Sequence, residues 1–113
     1  MARWNIIFAK GKTYQQTITL DGVADIASAT NWQIDCAFPN EAPFLQASTA
    51  NGLLQAGLTN NQKIMVIPAA TTALFDTGNG RFDFYIEWAG GVKRPYYIGG
   101  NVQVLPYAGE VSP

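Results

Sequence analysis

The apolar residues of this chain come in short runs, and glycine or proline closes almost every one. The breaks recur at spacings of roughly 8 to 12 residues, the pattern of an all-β sandwich or barrel. None of the runs is long enough for an ordinary helix, so the chain has to bury its core through paired strands. The best-patterned run is Asn31 to Phe38, where Trp32, Ile34, Cys36 and Phe38 share one face and Gln33, Asp35 and Ala37 the other. Arg81 to Trp88 repeats the pattern, with Phe82, Phe84, Ile86 and Trp88 opposite Asp83, Tyr85 and Glu87. Period two is the signature of a half-buried strand.

The remaining elements follow from the same rule. Trp4 to Ala9 is a first strand, closed by the turn Lys10-Gly11-Lys12. Tyr14 to Leu20 is a second, with Gln16, Ile18 and Leu20 on one side, and Asp21-Gly22 ends it. Pro39 to Pro43 reads as a loop, because two prolines cannot sit inside a central strand. Phe44 to Ala47 and Leu53 to Leu58 are weaker strands around the turn Thr49 to Gly52. Lys63 to Ile67 is a short strand, after which Pro68 opens a helical turn through Phe75. Thr77 to Gly80 stops that turn, Gly90-Gly91 makes a hairpin, and Gly99-Gly100 bends the strand region from Val92 to Leu105. The expectation is one domain over residues 1–105 with a tail at 106–113: two antiparallel sheets and one helical turn near 68–76.

Charge and chemistry narrow the function. The 113 residues carry seven Lys and Arg, eight Asp and Glu and no His, and only 13% are charged against a usual share of roughly 25%. A net charge of −1 argues against nucleic acid as a partner, since phosphates need a basic face. Without histidine the chain lacks the commonest general base and metal ligand. Asp83 and Glu87 share a strand face but stand about 13 Å apart at a strand's rise, too far for a glycosidase pair. Asp21 and Asp25 flank a turn without calcium-loop spacing, and Ser28, Ser48 and Ser112 have no activating base. The single Cys36 reads as a buried thiol of a protein made in a reducing cytosol. No signal peptide or membrane helix is evident, and no enzyme, metal or cofactor is expected.

Two features point to binding instead. Eight Asn, seven Gln and nine Thr suit a surface that is buried against another protein at little desolvation cost. Trp88, Tyr96 and Tyr97 lie near Lys93 and Arg94, and suit core positions first, interface anchors next and platforms for sugar rings last.

The order of these signals resembles the small immunoglobulin-like sandwich domain of tailed-bacteriophage tail proteins, found in the collar that anchors L-shaped tail fibres and in related baseplate proteins. Gly11-Lys12-Thr13-Tyr14 stands where that family has Gly-Asp-Thr-Phe, and Asp25-Ile26-Ala27-Ser28-Ala29 is similar to its Asp-Leu-Thr-Gly segment. Pro68 to Phe75 takes the place of its Thr-rich turn. Phe82-Asp83-Phe84 resembles its Tyr-Asp-Leu strand, and Tyr97 to Val104 its closing Leu-Leu-Gly-x-Val-x-Val. Lys12, Ser28-Ala29 and the doubled Gly99-Gly100 depart from the pattern. The resemblance implies an Ig-like β-sandwich that oligomerises as a ring or on a ring, assembled in the host bacterial cytoplasm into a virion tail. It implies contacts with itself and with other tail or fibre proteins, and neither nucleic-acid binding nor membrane insertion. Trp4, Ile6, Phe8 and Tyr107, apolar and near the termini, are the expected subunit contacts. The alternative is a carbohydrate-binding module that uses Trp88, Tyr96 and Tyr97 for host attachment. A host-directed regulatory or inhibitor domain is a third possibility, one that no motif marks.

Overall fold

A computed structural model describes residues 5–20, 22 and 25–106, apart from the side chains of 97 and 98. The Asn31–Ala37 and Gly78–Trp88 strands, designated β3 and β7, pair antiparallel in full register from Asn31↔Glu87 to Ala37↔Arg81. Their alternation places Trp32, Ile34, Cys36, Phe82, Phe84 and Ile86 in the core. Around them close β1 (Asn5–Ala9), β2 (Tyr14–Thr19), β4 (Pro43–Ser48), β5 (Leu54–Ala56), β6 (Gln62–Ile67) and β8 (Val92–Leu105). One sheet has the order β1-β8-β7-β3-β4 and the other β2-β6-β5. The chain crosses between sheets as an Ig-like sandwich does, with the third, seventh and eighth strands in one sheet and the second and sixth in the other.

One pairing departs from the all-antiparallel expectation. The N-terminal β1 runs parallel to the C-terminal β8, from Asn5↔Asn101 to Ala9↔Leu105. Residues at opposite ends of the sequence thereby share one sheet edge.

Aromatic rings fill the two ends of the interior. At one end Phe8 meets Tyr14 at 4.8 Å and Phe75 at 5.2 Å, Phe75 meets Phe44 at 5.0 Å, and Phe44 stacks on Phe38 at 4.6 Å. Such edge-on pairs add to the burial that drives the core, roughly 1.5–3 kcal/mol per fully buried large side chain. The helical turn α1 (Ala69–Thr72) follows Pro68, which caps it from extended backbone instead of occupying its first position. Thr72 is fully buried and its hydroxyl donates to Lys12 O at 2.8 Å, tying α1 to the β1–β2 turn. At the other end Trp32 lies 5.8 Å from Phe84, and Phe84 6.3 Å from Tyr96.

Two boundaries read from sequence shift. Pro43 is the first residue of β4, which is tolerable because β4 is an edge strand. Gly78, Asn79 and Gly80, expected to be a turn, already belong to β7. A Cβ on Gly80 would lie 2.4 Å from Ala37 O, so glycine lets β3 and β7 approach there. The bend expected at Gly99-Gly100 is real: the register slips between Phe82 and Tyr85, and Gly99 has φ 71°. The strand continues through it as one element, bulged on the β8 side.

Candidate interaction surfaces

Charge is distributed unevenly between edge and interior strands. The four edge strands read NIIFA, YQQTIT, PFLQAS and LQA, without a single Lys, Arg, Asp or Glu. The charged strand residues lie on the other four: Asp35 on β3, Lys63 on β6, Arg81, Asp83 and Glu87 on β7, and Lys93 and Arg94 on the stretch of β8 that precedes its pairing with β1 at Asn101. Lone domains usually guard their edges with charges, prolines or bulges. Here β4 starts with a proline and β5 is only three residues long, while β1 and β2 have no guard within the strands, Lys10 and Lys12 standing in the turn between them. Those two unguarded edges lie on the same flank, as the Phe8–Tyr14 contact shows. Among the described residues neither has a partner on its outer side.

The residues expected to make subunit contacts sit differently. Ile6 and Phe8 are 0% exposed, on the inward face of β1, so their side chains build this chain's own core and are not offered to a neighbour. The outward residues of β1 are Asn5 and Ile7, the latter 50% exposed. Trp4 and Tyr107 lie outside the described residues.

Of the expected sugar-stacking residues, two pack against the domain itself. Trp88 packs on the core, donates its indole N–H to Asp25 O at 2.9 Å, and has Arg94 5.1 Å above its ring. Tyr96 leans on Phe84. The side chain of Tyr97 is outside the described set.

The carboxylates considered for chemistry are held as sheet-face acceptors. Asp83 accepts from Gly99 N at 2.9 Å, Glu87 from Asn31 Nδ2 at 3.1 Å, and Asp35 from Gln33 Nε2 at 2.8 Å. Tyr85, beside them, has its pKa raised by burial first and then by the Asp35 and Glu87 carboxylates. Lys93 sits 5.1 Å from its ring. Asp25 adopts φ 61° at the head of a short 3-10 turn over Ile26–Ser28, and its carbonyl takes the Ser28 hydroxyl as well as Trp88. Asp21 lies outside the described residues. Among the described residues no three His, Cys, Asp or Glu side chains gather as metal ligands. Burial, with a smaller contribution from Asp35, pushes the Cys36 thiol up to about 12, which leaves it protonated and inert at neutral pH.

A feature that strand-by-strand reading missed lies on the outer face of the larger sheet. The parallel β1–β8 pairing aligns Asn5, Asn101 and Arg81 in one row and Ile7, Gln103 and Asn79 in the next. Between and beneath these side chains is a depression of about 420 Å³, lined by Asn5, Ile7, Asn79, Asn101 and Gln103 and the strand segments joining them. The sequence signal was the polar-x-polar spacing at 79/81 and 101/103, but only the non-local register brings the two together with β1. Comparison with protein-family models and with curated proteins gives no match to this chain.

Proposed function

We propose that this chain is a non-enzymatic structural subunit of a tailed-bacteriophage virion, an oligomerising component of the collar, baseplate or fibre attachment. The observation that carries the reading is the pair of uncharged strands, β1 and β2, that edge the two sheets on one flank. A neighbouring subunit that adds a strand there satisfies the open backbone groups and makes a guard unnecessary. The order of turn and strand motifs shared with phage tail sandwiches supports placing that assembly in a tail. Its partners are then further copies of itself and the adjoining tail or fibre proteins.

The test has two parts. Density-gradient particles from the producing host, quantified by mass spectrometry, should contain this chain at a fixed multiple per particle. The purified chain should sediment as an oligomer, and Thr17→Lys, which places a cation on the exposed side of β2, should reduce it to monomer. A chain absent from particles and monomeric when pure would overturn the reading.

A further inference from the structure

The depression on the outer face of the larger sheet has a chemistry of its own. Its two rows span three strands, about 10 Å across and about 7 Å along. Four of its side chains are primary amides, and Asn5, Asn79, Asn101 and Gln103 make no side-chain hydrogen bond among the described residues. Among the described residues six other amides of the chain are committed, and the five that are not, Gln15, Asn40, Gln46, Gln55 and Asn60, each lie on a different strand or turn. Asn31 donates to Gln33 and Glu87, and Asn51 holds the β4–β5 turn by accepting from Ser48 N and Leu53 N and donating to Gln46 O. Asn61 donates to Leu20 O, and Gln62 accepts from Leu58 N. The grid is therefore a local set of amides that the fold leaves unused.

We propose that this depression binds a neutral saccharide. Each amide presents a carbonyl acceptor and two N–H donors in one plane, a match for adjacent hydroxyls that both give and take hydrogen bonds. The half-exposed Ile7 supplies an apolar patch for the C–H face of a sugar ring. The one charge in the rows is Arg81, which donates from Nη1 to Gly99 O at 3.4 Å and is not among the residues lining the depression, so the lining itself is uncharged. A protein partner is disfavoured by composition, because the grid holds no aromatic anchor of the kind that dominates protein interfaces. Its volume lies in the ~300–1,000 Å³ range of small-ligand sites. This inference does not depend on the virion reading. Its site also differs from the aromatic trio that the sequence suggested.

The experiment titrates the ¹⁵N-labelled full chain with neutral oligosaccharides built on glucose, galactose, mannose and N-acetylglucosamine, with sialylated and sulfated oligosaccharides as acidic counterparts. A neutral sugar should shift the side-chain amide signals of Asn5, Asn79, Asn101 and Gln103. The double variant Asn101→Ala/Gln103→Ala should weaken binding about tenfold or more, as expected for two lost hydrogen-bonding groups. Gln103→Val, which favours the strand, should weaken it in part, and Gln46→Ala at the far edge of the same sheet should leave it unchanged. Unmoved core backbone signals establish that the variants fold. The proposal is overturned if no panel member shifts those amides, if the double variant binds as well as the parent, or if an acidic sugar is preferred. It also fails if the double variant alters only self-association, which would make the face a contact between copies.

Discussion

Replacing Gly80 with alanine tests whether the β3–β7 approach is a rigid constraint. The added Cβ would lie 2.4 Å from Ala37 O and 3.2 Å from Val102 Cγ1. A carbon–oxygen contact is comfortable from about 3.3 Å, so the strands must part by roughly 0.9 Å. Both strands are interior, and the neighbouring Cys36↔Phe82 pair is in the core, so no free edge absorbs the shift. Overpacking of this kind costs about 1–3 kcal/mol, and a weakened ladder bond beside it adds about 1 kcal/mol. Alanine's stiffer unfolded chain returns roughly 0.5 kcal/mol, which leaves a net loss of about 1.5–3.5 kcal/mol. For 113 residues at about 2.1 cal/mol/K each, the melting entropy is about 0.24 kcal/mol/K, so the midpoint should fall by about 6–15 °C. Gly90→Ala is the control: nothing lies within 4 Å, but φ is +83°. It bears only the cost of a left-handed conformation, about 1–2 kcal/mol before the same return, or roughly 2–6 °C. Thermal melts followed by near-ultraviolet circular dichroism separate the two. If Gly80→Ala melted no lower than Gly90→Ala, the argument from close approach would be refuted.

Thr72→Val keeps the shape of a buried side chain but removes the hydroxyl that serves Lys12 O and Ala69 O, so the urea midpoint should drop by the equivalent of about 1–2 kcal/mol. Alkaline stability should be governed largely by Cys36. Its folded pKa of about 12 lies above the unfolded value near 9.0, so the contribution is whole below that pH and is lost as pH rises toward 12. Tyr14, raised to about 12 mainly by burial, acts in the same direction from its usual value of 10. Urea midpoints measured from neutral to strongly alkaline pH should therefore fall less steeply for Cys36→Ala, by up to about 4 kcal/mol at the alkaline limit. Trp88→Phe removes the hydrogen bond to Asp25 O but keeps the ring, so amide exchange at Ser28 should speed up about tenfold with little change in global melting.

What the sequence revealed and what it hid divide along local and non-local physics. Period-two alternation is a property of a strand by itself, so the inward faces of β3 and β7 could be read from Trp32, Ile34 and Cys36 and from Phe82, Phe84 and Ile86. The glycine signal was ambiguous in kind. Gly90-Gly91 marks a hairpin, whereas Gly80 marks a close backbone approach inside a strand, and one letter stands for both. Pro43 was read as excluding a strand, although an edge strand accepts proline at its first position. The β1 residues were misassigned for a different reason. Their alternation is visible in the sequence, yet an apolar residue near a terminus suits a subunit contact as well as a core, and Ile6 and Phe8 carry both signals. Once β1 is docked beside β8, those side chains close the core. The amide grid was out of reach, because it exists only in a register between residues some 95 positions apart.

The charge distribution also bears on how copies would assemble. A charge on an interior strand cannot block a strand from adding at an edge, because it lies well away from the open backbone groups. It can oppose stacking of one sheet face on another, since a facing sheet would have to strip water from it. Arg81, Asp83 and Glu87 lie along β7 in the middle of the larger sheet, on the side opposite the core. Stacking across that face is therefore costly, while pairing along the β1–β2 flank meets no charge within either strand, only Lys10 and Lys12 in the turn between them. The amide grid lies at the β1 end of the same face and is uncharged apart from Arg81 at its margin. Edge-to-edge association would leave the side chains of Asn101 and Gln103 open to solvent, because they project from the face and not from the edge. One molecule could thus use its backbone edge for assembly and its sheet face for a ligand, and β1 would serve both.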